Sequence, residues 1–419
     1  MTKHGSSPAG SGAASFADAV ASAGGRHPID VFTALQGEQG PDAERLASEA
    51  ATSAPATANL PQGDGLALPH PSDAEWRFED STAEVLLERA VELTRRGDAI
   101  LLLGVPTVVL AALRSDADRR FVLACEDNVI GAVLRAKVAT DSRFVGGAPD
   151  GCAAAILDPP WYPKLFDALI AYAGAKCRDE GWILAAAPSP GVRPGADEER
   201  ATTIANASSA GLTFIEGQAD ALVYRTPAFE LAAMRAAGVV AWLPCWRRGD
   251  LLTLRKTARG ETPVVPKPRP AFELTLNGVR LRLITGPTKP AATLSPIVGG
   301  EVFPSVSARA HGREQANFWT TNNRAFECDP EATLRAMLAV ASQLGLWPKG
   351  LDPEGISSGD SPPVDWIPLV DELSRIAARD LAEAAMLCGV SSWDRSVNDA
   401  RFLNGSSHAF LQALHGVAA

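Results

Sequence analysis

The sequence predicts an α/β chain: a doubly wound, mostly parallel sheet, then a smaller α+β module, with a flexible tail in front. Three observations carry that expectation. Between Trp76 and Lys256, short apolar runs alternate with stretches of helical period, the pattern of strand–helix units in a parallel sheet. Pro263, Pro266, Pro268 and Pro270 crowd one short segment, and beyond it the pattern turns to apolar–polar alternation around Asn277-Gly278. Residues 1–67 are dominated by Ala, Ser, Gly and Pro and offer little to bury. The expected division is a tail at 1–67, a first module at 68–260, a linker at 261–270 and a second module at 271–419.

Within the tail, Ile29 to Leu35 is the one amphipathic piece and predicts a short docking helix. Ser81-Thr82-Ala83-Glu84 has the spacing of a capping box and opens a helix through Val91 and Leu93. Ala99 to Leu103 is the first strand; Gly104-Val105-Pro106-Thr107 turns it into a helix ending at Leu113. Phe121 to Cys125 is the second strand, closed by Glu126-Asp127 and followed by a helix to Val138. A weak strand near Phe144 precedes Ala154 to Leu157, a fully apolar and therefore buried strand. A helix over Lys164–Cys177 leads to the strand Trp182–Ala187, a polar loop and another helix. The short runs Leu212–Ile215, Ala221–Tyr224 and Leu251–Leu254 close the set with an antiparallel edge. In the second module, Phe272–Leu276 and Val279–Leu283 form a hairpin on Asn277-Gly278, with helices over 331–346 and 364–388.

Composition narrows the function. Hydrophobic content of 46% against 21% charged residues fits a globular protein, and no apolar run approaches the roughly 20 residues that span a bilayer. Residues 1–25 hold no apolar core of a secretory signal, and the six cysteines show no CxxC pair. A reduced, cytoplasmic protein without a structural metal is the expectation. A net charge of −10 argues against gripping duplex nucleic acid over many phosphates.

The chemistry concentrates at Asp158-Pro159-Pro160-Trp161-Tyr162. Proline cannot donate to a sheet ladder, so the strand must end there. It thereby delivers a carboxylate, fixed carbonyls and aromatic rings to its carboxyl end, where open α/β sheets bind ligands. A flat, nitrogen-bearing target suits such a point. Asp158 and the Pro159 carbonyl would accept N–H bonds, while Trp161 or Tyr162 stacks on a base or contacts a lysine by cation–π attraction. Ser189 follows the next strand and is a candidate for the same pocket. Trp242 to Arg248 interleaves aromatic with basic residues, and Arg309 to Arg324 is dense in hydrogen-bonding side chains; each is a candidate binding face.

Residues about 74–257 resemble the probable N6-adenine methyltransferase family, a group that includes elongation-factor lysine methyltransferases. The resemblance lies in Trp76-Arg77-Phe78 with Ser81 to Glu84, in Leu103 to Thr107, and in Asp158-Pro159-Pro160-Trp161. It implies the sheet of class I S-adenosylmethionine (SAM) dependent methyltransferases and in-line methyl transfer to an amino nitrogen. Gly104, Val105, Pro106 and Thr107 would then face the methionine part of SAM, and Glu126 and Asp127 its ribose hydroxyls. The acceptor implied is adenine in nucleic acid or, as the alternative, lysine in a protein. The single glycine of the turn motivates a further alternative, a non-catalytic scaffold that engages a protein partner through its C-terminal module.

Overall fold

A computed structural model describes residues 13–52, 65–73, 75–125, 127–146, 150–193, 195–260, 265–266, 269–285, 293–307, 309–346, 348–349, 367–388 and 398–404. Its first finding corrects the expected tail. Residues 16–52 form three helices, α1 (Phe16–Ser22), α2 (Pro28–Gly37) and α3 (Pro41–Thr52). Ser15 caps α1, its hydroxyl accepting from the Asp18 N–H at 3.2 Å; His27 caps α2 ahead of Pro28 at the first helical position. Phe16, Val31, Phe32, Leu35 and Leu46 are buried against Leu231, Met234 and Leu274 far along the chain. Alanine-rich helices this short are marginal alone and are held by packing, which composition cannot reveal. The remaining tail residues, 1–12 and 53–64, lie outside the described residues.

The first module holds β1 (Arg77–Phe78), α4 (Asp80–Glu92), β2 (Ala99–Leu103), α5 (Pro106–Arg114), β3 (Arg120–Ala124), α6 (Val129–Val138) and β4 (Phe144–Val145). It continues with β5 (Cys152–Leu157), α7 (Pro163–Lys176), β6 (Cys177–Pro188), α8 (Ala196–Ser209), β7 (Leu212–Arg225), α9 (Ala228–Ala236) and β8 (Arg248–Lys256). The strands form one sheet in the order β1-β7-β8-β6-β5-β2-β3-β4. From β4 through β6 the pairing is parallel; β8, β7 and β1 add antiparallel strands at one side. This is the expected doubly wound α/β sheet, and the order reverses between β2 and β5. There the crossovers leave to opposite sides and open a crevice above the strand ends.

Two local readings change. The α4 helix starts at Asp80, and Glu79 caps it through the Ser81 N–H at 3.0 Å, so Ser81 to Glu84 is helix interior rather than a capping box. The runs at 212–215 and 221–224 are one long strand, β7, with register shifts after Phe214 and Gln218 that hide its continuity from periodicity.

The second module carries β9 (Ala271–Leu276), β10 (Val279–Ile284), β11 (Ser295–Pro296), β12 (Phe318–Thr320), β13 (Ala325–Glu327), α10 (Pro330–Gln343), α11 (Ile367–Cys388) and β14 (Asp399–Leu403). Its antiparallel sheet runs β11-β13-β12-β10-β9-β14. Asn277 and Gly278 both take positive φ, 51° and 89°, as a two-residue turn matched to strand twist requires. The apolar face (Phe272, Leu274, Leu281, Leu283) packs in one core with α1 to α3 and α9, so the core crosses the boundaries suggested by composition.

The opposite face of this hairpin is charged and also buried. Arg280 pairs with Asp73 at 2.5 Å, Glu273 at 3.0 Å and Glu75 at 3.3 Å, while Arg282 reaches Glu273 at 2.6 Å and also bonds Asp73. The Asp73 carboxyl is fully desolvated, which opposes its ionisation, yet Arg282 and Arg280 hold it well below the usual carboxylate range. This network fastens the segment before β1 to the second sheet. That segment is one wall of the cavity described next.

Candidate active site

A cavity of about 930 Å³ opens over the carboxyl ends of β2, β3 and β5, within the range of ligand pockets. One lobe lies under the β2–α5 turn. Leu103, Gly104, Val105 and Pro106 line it, with Ala124, Asp127, Asn128 and Ile130 from the end of β3 and the start of α6. Gly104 turns the chain at φ +66°, a conformation L side chains rarely adopt, so this glycine is required by backbone angle. The Asp158 N–H reaches the Leu103 carbonyl at 3.4 Å and ties the two strand exits together.

Asp158 stands at the floor of the second lobe. The Tyr224 hydroxyl donates to its Oδ1 at 2.9 Å. Burial pushes the Asp158 carboxyl up to about 7, against the opposing pull of the Tyr224 hydrogen bond and the Arg247 charge. The same burial, with Asp158 alongside, moves the Tyr224 hydroxyl well above its ordinary value. Tyr162 donates its N–H to the Pro160 carbonyl at 2.7 Å, which commits that carbonyl and leaves the Pro159 carbonyl for another donor.

Trp161 and Trp76 do not present bare faces. The guanidinium carbon of Arg247 lies 3.9 Å from the Trp161 ring centre, 4.2 Å from Trp76 and 5.7 Å from Tyr224. Three aromatic rings thus already hold one cation beside Asp158. Arg309 lies over Tyr162 at 5.9 Å and pairs with Glu199 at 3.3 Å. Arg193, paired with the same Glu199, donates to the Trp161 carbonyl at 2.9 Å.

The structure brings Asp158, Pro159, Pro160, Trp161, Tyr162, Gly104, Val105, Pro106 and Asp127 around one cavity. Two expected site residues stand elsewhere. Ser189 is buried and spends its hydroxyl on Asp250 at 2.8 Å and Asp220 at 2.9 Å, behind the cavity wall. Thr107 is 1% exposed inside α5, its hydroxyl without a partner and away from the cavity. Glu126 lies outside the described residues. Its neighbour Asp127 is exposed and bonded to Arg135 at 3.1 Å and to Arg401 of β14 at 3.4 Å.

Sequence reasoning missed Tyr224, the N-terminal contributors His27 and Asp30, and the pairing of Arg247 with both tryptophans. Arg247 had a signal, its place in the aromatic–basic run Trp242 to Arg248. Tyr224 had none beyond a strand position, because it meets Asp158 across 66 residues. Among the described residues, no helix is long and apolar enough to cross a membrane, and no group of three His, Cys, Asp or Glu is placed to hold a metal.

No family model and no curated protein matches the sequence. Among solved structures, the branched-chain polyamine synthase of Thermus thermophilus is similar at 15% identity over 61% of this chain and 87% of that one, with a TM-score of 0.41. An engineered form of the same synthase gives 13% over 60% and 86%, with a TM-score of 0.42. A putative RNA methyltransferase of Pyrococcus horikoshii shares 15% identity over 48% of this chain and 96% of that one, TM-score 0.35. At such scores the fold rests on the strand order itself.

Proposed function

We propose that this chain is a SAM-dependent methyltransferase acting on an amino nitrogen, with adenine N6 in nucleic acid as its acceptor. The observation that carries the reading is the Asp158 carboxyl, held by Tyr224 at the exit of β5 and facing one cavity with the β2 turn. SAM fits the first lobe by its chemistry. The positive φ of Gly104 would let the β2 turn approach the methionine part closely, and Asp127, which lines the cavity after β3, would take ribose hydroxyls, with Glu126 the candidate the sequence offers beside it. Bound there, SAM supplies an electrophilic methyl group on a sulfonium.

The remaining chemistry belongs to the chain. Asp158 and the Pro159 carbonyl accept the acceptor's N–H bonds and aim its lone pair along the transfer line. Holding both reactants in this way contributes several kcal/mol to lowering the barrier, of the ~7–11 available to full pre-orientation. After transfer the nitrogen carries one proton too many. The Asp158 Oδ2 takes it, since a carboxyl near 7 accepts a proton at neutral pH without holding it.

A second reading, a lysine acceptor, draws on the aromatic walls: Trp76, Trp161 and Tyr224 hold a cation already. Calorimetry with S-adenosylhomocysteine separates either enzyme from a scaffold. Micromolar binding by the wild type, retained in Asp158→Ala, is the expected outcome; a flat titration would remove the cofactor and the proposal with it. Asp158→Ala should then lower transfer about 10²–10³-fold, the loss seen when one transition-state hydrogen-bonding group is removed.

A further inference from the structure

The guanidinium of Arg247 is a cation in want of an anion. It lies on Trp161 and Trp76 and lines the cavity, yet its buried Nε has no hydrogen-bond partner. Among the described residues it forms no ion pair. The nearby acids, Asp158 and Glu230, act on it through their charge and not through a hydrogen bond: Asp158 accepts from Tyr224, and Glu230 pairs with His27. Stacking on rings offsets part of the cost of burying the charge but leaves the Nε–H unsatisfied.

Arg193 repeats the pattern. Its Nη2 serves the Trp161 carbonyl and Glu199, and its Nη1 is buried without a partner. Arg309, on the same rim, shares that one Glu199. Of the other cavity acids, Asp73 and Glu75 are held by Arg280 and Arg282. A protein of net charge −10 thus gathers three arginines at this end of the cavity, with Glu199 shared between Arg193 and Arg309 and no carboxylate in an ion pair with Arg247 among the described residues.

We infer that Arg247, with Arg193, anchors a phosphate of the acceptor whose amino nitrogen is presented to Asp158. The inference rests on the methyl-transfer reading and names its substrate class, an adenine nucleotide unit carrying its phosphate. The planar guanidinium fork matches phosphate oxygens two at a time, and the tryptophans fix its plane. A lysine acceptor would instead bring a second cation against Arg247.

The test is calorimetric titration of 5′-AMP and of adenosine, with S-adenosylhomocysteine in excess to fill the cofactor lobe. The wild type should bind AMP about tenfold or more tighter than adenosine, the usual effect of one charge-assisted bidentate contact. Arg247→Met, which keeps length and apolar contact, should erase that preference, bringing the two affinities together; Arg247→Lys should keep part of it. Arg193→Gln should weaken AMP alone, and it carries the test should circular dichroism show Arg247→Met unfolded. Equal affinities in the wild type, or a preference untouched by both variants, would overturn the anchor. So would binding of N-acetyl-lysine amide in preference to AMP. Absence of S-adenosylhomocysteine binding together with an Arg247-dependent AMP preference would sink the transfer reading and leave the anchor standing.

Discussion

Asp158 is a carboxyl poised near neutrality, and its behaviour with pH follows from its partners. The Tyr224 hydroxyl donates to Oδ1 at 2.9 Å and favours the ionised form. Tyr224→Phe therefore leaves burial less opposed, and the acidic limb of the kcat/KM profile should move to higher pH; an unmoved limb in a pH–rate series would show that Asp158 is not the titrating group. The same carboxyl affects stability in a defined direction. Its folded pKa, about 7, lies above the ordinary 3.8, so its contribution is fully present below about pH 4 and is lost as pH rises toward 7. Asp158→Asn should be the more stable protein above pH 7, by about 1–3 kcal/mol, with the advantage fading toward pH 4; urea melts at both pH values measure it. At this scale Asp158 to Trp161 was legible, because a strand that runs into two prolines can end in only one way. Tyr224 and Arg247 were not, because they meet Asp158 only through the pairing of distant strands.

Between elements, long-range packing decided what periodicity left open. The β9–β10 hairpin was readable from Asn277-Gly278 and its alternating flanks, but alternation did not show that its charged face is buried on Asp73 and Glu75. Arg280 is fully buried there, so Arg280→Met leaves the buried carboxylates Asp73 and Glu273 to share Arg282. Loss of about 3–5 kcal/mol in denaturant titration is expected, and a loss under 1 kcal/mol would mean that the seam is open to water. Of the N-terminal helices, α2 was readable as a docking helix from Ile29 to Leu35, whereas α1 and α3 were not, since their Ala- and Ser-rich surroundings read as tail. Phe16 is fully buried against that shared core. Phe16→Ala should cost about 3–5 kcal/mol, whereas a flexible tail would register nothing in the same melt.

Across the molecule, the second module completes the cavity. Its β14 sends Arg401 to the Asn128 carbonyl at 3.1 Å and to Asp127, beside the first lobe, while Pro304 to Ser307 and Arg309 wall the second. The α2 helix adds His27 and Asp30 from the opposite end of the chain. Composition divided the chain into tail, module, linker and module, whereas the site draws on all four, Val265 and Pro266 of the linker included. The acidity of the whole, −10, is not spread evenly: Arg193, Arg247 and Arg309 gather at the Asp158 end of the cavity, with Glu199 between Arg193 and Arg309. Nucleic-acid binding at that end alone would be local, with a shallow salt dependence set by a few phosphates.

The central claim is methyl transfer at Asp158, and one measurement tests it most directly. Methyl-labelled SAM is incubated with the protein and with separate nucleic-acid and protein pools, and label is counted in each for the wild type and for Asp158→Ala. The account predicts label on adenine in the nucleic-acid pool and its loss in the variant. Label in neither pool, or label that survives the substitution, would contradict it.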